Sequence, residues 1–218
     1  MMEPALTDVL ERFYDYLDRN IDELEVKYPF LRCPAGCTLC CNTSIFLITR
    51  LEFEQLASWV REHFTPEQVA EFVAQAKAQV ATSPLEASDI DERGAVITPG
   101  LVQACPFVTE TGCSVYEARP SLCRLFGRSA HMDGHRLNLC RVLTGQAEAA
   151  QTADLTSISM PTVERFTFIL AAWLKQAIGK SPELAEKLDE LLAINSICGF
   201  IADTELDPER MHEARSLL

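Results

Sequence analysis

Cys33-Pro-Ala-Gly-Cys37-Thr-Leu-Cys40-Cys41 places four thiols within nine residues. That density constrains the chain more than any other feature. A thiolate site needs several soft donors about 2.3 Å from one ion, and x2 or x3 spacers let a tight turn converge them. Gly36 suits such a turn because it adopts positive φ without steric cost. Cys105, Cys113, Cys123 and Cys140 follow downstream, and Cys198 stands apart. Cys198 sits in an apolar stretch with Leu191, Leu192, Ile194, Ile197 and Phe200 and reads as a small buried hydrophobe. Adjacent side chains at Cys40 and Cys41 point in different directions in most backbone conformations, so either the two serve two sites or only one of them binds.

Nine cysteines in 218 residues fall below the density of a disulfide-built mini-protein. Met1-Met2-Glu3-Pro4-Ala5 lacks the basic and apolar regions of a secretory signal. The most apolar run, 166–174, is short of the about 20 residues that cross a bilayer. The expectation is a cytoplasmic chain with reduced thiols, in which clustered cysteines bind metal rather than each other. The net charge of −13 disfavours nucleic acid and membrane surfaces as partners. An unidentified protein partner stays open.

Periodicity predicts a mainly α fold: a helical domain with a small β-hairpin and an irregular, cysteine-rich metal-binding core. Leu10, Phe13, Tyr14, Leu17, Ile21 and Leu24 share one face of a helix over 4–26, which should stop before Tyr28-Pro29. Its other face, including Asp15, Asp18 and Asp22, reads as solvated. Ile45–Ile48 reads as a small strand or buried loop. Capping boxes at Thr49–Glu52 and Thr65–Gln68 open the next two helices, the first running to His63. Residues 82–104 read as a long connection with one short strand at 95–98. A hairpin follows, its arms flanking Thr109-Glu110-Thr111-Gly112. Met160–Ile178, Pro182–Ile197 and Pro208–Leu217 are expected as helices. The expected division is 1–145, a cysteine-cluster metal-binding domain, and 146–218, a helical extension packed on it.

The pattern C-x3-C-x2-C-C, then C-P-F-x5-C-x-V-Y-x2-R-P-x2-C-R, resembles the YkgJ-like cysteine-cluster family. The matching positions are Cys33, Cys37, Cys40 and Cys41, then Cys105-Pro106-Phe107, Cys113, Val115-Tyr116, Arg119-Pro120 and Cys123-Arg124. Cys140 fits an eighth cysteine at looser spacing. The resemblance covers about residues 30–141 and implies zinc or iron chelation by these eight cysteines. Flagellin lysine N-methylase has a similar motif and looks like an iron–sulfur, S-adenosylmethionine-dependent enzyme. It makes an iron–sulfur enzyme acting on an anionic or S-adenosylmethionine-like ligand the alternative to a metal-binding protein of structural, redox or metal-handling role. Whether the chain is an enzyme stays open.

Cys33-x3-Cys37-x2-Cys40 also has the spacing of radical S-adenosylmethionine enzymes. A preceding helix, following helices and Leu39 at a usually aromatic position argue against that reading. Eight thiols suit either two four-thiolate zinc sites or an iron–sulfur cluster, and spacing leaves both cofactors open.

Residues 119–141 hold five arginines against one acid, Asp133. Guanidinium groups lower thiolate pKa values and stabilise an anionic metal–thiolate centre. Arg119 and Arg124 flank Cys123 for that role. Arg128 and Arg136 are candidates for binding an anionic ligand, so all four are candidate cofactor-binding residues. His131 and His135, at i and i+4, are a weaker ligand pair because Gly134 interrupts a helix there. His63 and His212 read as solvated. No G-x-S-x-G, Walker or dinucleotide motif is present.

Overall fold

The structure is a computed structural model that describes residues 4–91, 96–129, 142–143, 145–146, 162–179 and 186–203. It is mainly helical with small antiparallel strand pairs. Two compact units interleave along the chain: one takes Thr38–Pro120 and Asp189–Leu218, the other Met2–Cys37 and Ser121–Leu188. Among the described residues no helix is long and apolar enough to cross a membrane.

The second unit is built on α1 (Pro4–Lys27) and α6 (Val163–Ile178). Leu6, Leu10, Phe13, Leu17 and Ile21 are buried at helical spacing, as the sequence pattern requires. Each such side chain contributes about 1.5–3 kcal/mol through burial. The ring of Phe13 meets Trp173 edge-on at 6.2 Å, and Tyr16 meets Phe166 at 5.9 Å. α1 ends one residue before Tyr28-Pro29, and a single 3-10 turn, Pro29–Leu31, follows. The short helix α5 (Ser121–Leu125) also packs on α1.

In the first unit, α2 (Leu39–Thr43) leads to β1 (Leu47–Thr49), α3 (Arg50–His63) and α4 (Pro66–Thr82). Both expected capping boxes are formed, Thr49 with Glu52 and Thr65 with Gln68. A short hairpin pairs β2 (Val108–Thr109) with β3 (Gly112–Cys113), so Thr109 and Gly112 face each other and only Glu110-Thr111 lie between the strands. In the long connection, Val96 makes one bridge to Ile90.

The expected helix over Pro182–Ile197 is corrected at its end. In its described part, Glu186 and α7 (Leu188–Leu191) are α-helical, and then β4 (Ile194–Ser196) pairs antiparallel with β1. Helix α8 (Ile197–Asp203) starts directly after β4. β-Branched Ile194 and the local bond from Ser196 N–H to Asn195 Oδ1 (2.8 Å) weaken helix there, and β1 supplies the backbone partners. Ile197 N donates to Phe46 O (3.2 Å), and Phe53 of α3 stacks on Phe200 of α8 at 5.1 Å. The start of that expected helix, and the one at Pro208–Leu217, lie outside the described residues.

Candidate metal centre

Along the chain, the unit boundary falls within the run of four cysteines, after Cys37. Cys33 and Cys37 fall in the second, with Cys123, whereas Cys40 and Cys41 fall in the first, with Cys105, Cys113 and Cys198. All eight of these cysteines are free thiols. Cys140, Arg136, Arg141, His131 and His135 lie outside the described residues.

In the first unit, Cys40 and Cys41 ride on α2 with their sulfurs 4.0 Å apart. Cys105 N donates to Cys41 O at 2.8 Å, which brings the loop before the hairpin against α2. Cys113 ends β3 opposite Val108. Two sulfurs share one local device: the Phe107 N–H bonds to the Cys105 sulfur, and the Val115 N–H to that of Cys113. In each case the donor is two residues onward, so the turn after the cysteine aims an amide at the sulfur. Such amides stabilise a thiolate over a thiol.

The thiols differ in acidity. The hydrogen bond to Cys41 pulls Cys40 down to about 6, and the Cys41 and Cys40 amides and the Arg119 guanidinium add to that pull against partial burial. Burial pushes Cys105 up to about 12, opposed by the Phe107 amide and reinforced by the nearby Cys113, Cys198 and Cys40 sulfurs. Burial also raises Cys113, with the Val115 amide and Arg119 opposing it. A divalent cation supplies the positive charge that a thiolate needs in such a setting. The donor set, its amide hydrogen bonds and its mutual repulsion therefore fit a thiophilic metal ion. Among the described residues, no three Cys, His, Asp or Glu side chains already meet as one metal shell.

In the second unit, Cys37 N closes a turn on Pro34 O at 3.1 Å, with Gly36 at φ 72° as that turn requires. Cys123 sits in α5. Glu25 of α1 takes Arg32, the residue before Cys33, on Oε2 at 3.2 Å and Arg128 on Oε1 at 3.1 Å.

The arginines have separate settings. Arg119 donates to Tyr116 O (2.9 Å) and lies 3.5 Å over the Tyr116 ring. Arg124 is buried, paired with Asp18 and placed over the Tyr14 ring. Arg128 is buried against Glu25. His63 bonds Trp59 O through Nδ1 and stacks on the Trp59 ring.

Sequence reasoning missed Gln103 and Ser196, both buried and hydrogen-bonded to each other beside Cys105. Neither carries a motif; the only signal was a polar residue in apolar company.

The family model CxxCxxCC, described as "Putative zinc- or iron-chelating domain", matches residues 32–141. This is just over half of the chain, and the chain belongs to that family. No curated protein and no solved structure matches.

Proposed function

We propose that the chain holds a zinc ion through the thiolates of Cys40, Cys41, Cys105 and Cys113, in a closed site that is structural. The supporting observation is the 4.0 Å separation of the Cys40 and Cys41 sulfurs. Sulfurs placed about 2.3 Å from one tetrahedral ion stand about 3.8 Å apart, so these two already span nearly one edge of its shell. In a four-iron cluster each thiolate holds its own iron, which separates the sulfurs further. Cys105 and Cys113, stabilised by the Phe107 and Val115 amides, supply the other two donors.

Four thiolates leave no open position for substrate, so the metal's chemistry here is cross-linking rather than Lewis-acid catalysis. The ion ties α2 to the hairpin, and Arg119 offsets part of the negative charge. Cys33, Cys37, Cys123 and Cys140 form a second thiolate set; placement of the first three in the other unit supports this division. An iron–sulfur cluster on the Cys40–Cys41 and Cys105–Cys113 pairs is the second reading. It is favoured by adjacent sulfurs that could share one iron of a two-iron cluster.

Cobalt(II) titration of chelator-treated protein tests the site. Thiolate-to-cobalt charge-transfer absorption is expected in the wild type. Cys105→Ser and Cys113→Ser should each weaken that absorption and lower zinc affinity more than about 100-fold. Unchanged affinity in both variants would refute this ligand set.

A further inference from the structure

We infer that Gln103, Ser196 and Cys198 are positioning residues for Cys105, so that a segment beyond the matched family region sets the geometry of the thiolate site. This rests on Cys105 being a ligand, as proposed above.

Cys105 is reached through an irregular stretch, 101–105, that belongs to no helix or strand. Such a stretch holds its course only if its polar groups find partners outside it. Here they do. Gln103 Nε2 donates to Ser83 O at 2.7 Å, and Gln103 Oε1 accepts from Ser196 Oγ at 2.6 Å. Ser196 Oγ in turn accepts from Gly199 N at 2.9 Å, which ties the pair to the start of α8. At the next residue, Ala104 N donates to Gln79 Oε1 at 3.0 Å, and Ala104 O accepts from the Cys198 thiol at 3.4 Å. Both residues before Cys105 are thus fixed from α4 and its C-cap, from β4 and from α8.

Gln103, Ser196 and Cys198 are only 3%, 1% and 2% exposed. Bulk water does not reach these side chains, so removing one bond leaves another buried polar group with at most one water-sized space to compensate it. A cleft of about 10 Å³ lies among Phe46, Gln103, Cys105, Ser196 and Cys198, so the network reaches the ligand itself. Because Cys198 donates its S–H to a carbonyl, it acts in its protonated form. That suits a group that orients the loop rather than one that ligates metal.

Zinc affinity, read by competition with a chromophoric chelator, tests this in the full chain. Cys198→Val keeps the bulk and loses the donor; Cys198→Ser keeps a donor. Cys198→Val and Ser196→Ala are each expected to lower affinity about 10–100-fold, as loss of an outer partner does at other metal sites. Cys198→Ser should stay within about threefold of wild type, and all three should keep the wild-type cobalt charge-transfer intensity. Ser196→Ala removes one oxygen and keeps the test open if Cys198→Val does not fold. Wild-type affinity in both Cys198→Val and Ser196→Ala overturns the inference. Loss of charge-transfer intensity in Cys198→Ser also overturns it, by making Cys198 a ligand. Wild-type protein that takes up no zinc overturns the proposed function instead.

Discussion

The backbone N–H of Cys105 donates to the carbonyl of Cys41 at 2.8 Å, joining the two cysteine-bearing segments of the first unit. This bond uses neither side chain, so its lifetime depends on what else holds the segments together. A metal bridging α2 and the hairpin should slow local opening. Hydrogen exchange of the Cys105 amide is therefore expected to accelerate at least about tenfold on chelation. The Ile197 amide, bonded to Phe46 O, should change less. Equal acceleration at both amides would mean that the metal stabilises the unit globally.

The Thr49 capping box satisfies a free N–H at the start of α3, and Glu52 closes it from inside, at 4% exposure. Thr49→Ala should cost about 1 kcal/mol of stability, measured by urea unfolding. Thr49→Ser, which keeps the acceptor, should cost less than half of that.

Glu25 and Asp18 both pair with buried arginines but differ in exposure. The Glu25 and Arg128 side chains are 11% and 8% exposed, whereas Asp18 is 47% exposed beside Arg124. Solvent screens the second pair, and the Tyr14 ring still faces Arg124 when Asp18 is neutralised. Glu25→Gln should therefore destabilise by about 3 kcal/mol and Asp18→Asn by about 1 kcal/mol. The reverse order in denaturant unfolding would contradict this account.

These pairs also show where the sequence was legible. Local codes were readable because their partners lie within one helical turn: the α1 stripe, the Pro29 stop and both capping boxes required no distant knowledge. β4 was not readable, since Ile194-Asn195-Ser196 becomes a strand only because β1 offers it an edge. The same distance hid the settings of the arginines. A charge count treats 119–141 as one basic island, yet Arg119 lies on Tyr116 while Arg124 and Arg128 face carboxylates of α1. Asp18, on the face read as solvated, is one of those partners. At the site, spacing singled out the candidate cysteines. It carried no information on how the cluster divides after Cys37, or that Cys198 reaches the Ala104 carbonyl.

Asp89 accepts hydrogen bonds from Thr98 Oγ1 and from Glu86 N, the latter at 2.8 Å. The Thr98 hydroxyl, then the Glu86 amide, hold its carboxyl below the usual carboxylate range. A depressed folded pKa means that the contribution is complete above the ordinary value of about 3.9 and is lost as pH falls through the folded value. An NMR titration should show the Asp89 carboxyl titrating below that ordinary value. The protection factor of the Ile97 amide, bonded to Asp89 O, should fall at the acid end, and Asp89→Asn should remove that change in protection. An unshifted carboxyl would show that the clip does not persist in solution.

Zinc, iron and acid-labile sulfide per chain, measured on anaerobically purified protein, test the central claim most directly. The account predicts stoichiometric zinc with neither iron nor sulfide, and loss of one zinc per chain in the Cys105→Ser, Cys113→Ser double variant. Iron with equimolar sulfide, lost in that same variant, would contradict the zinc site and make these thiols the ligands of a cluster.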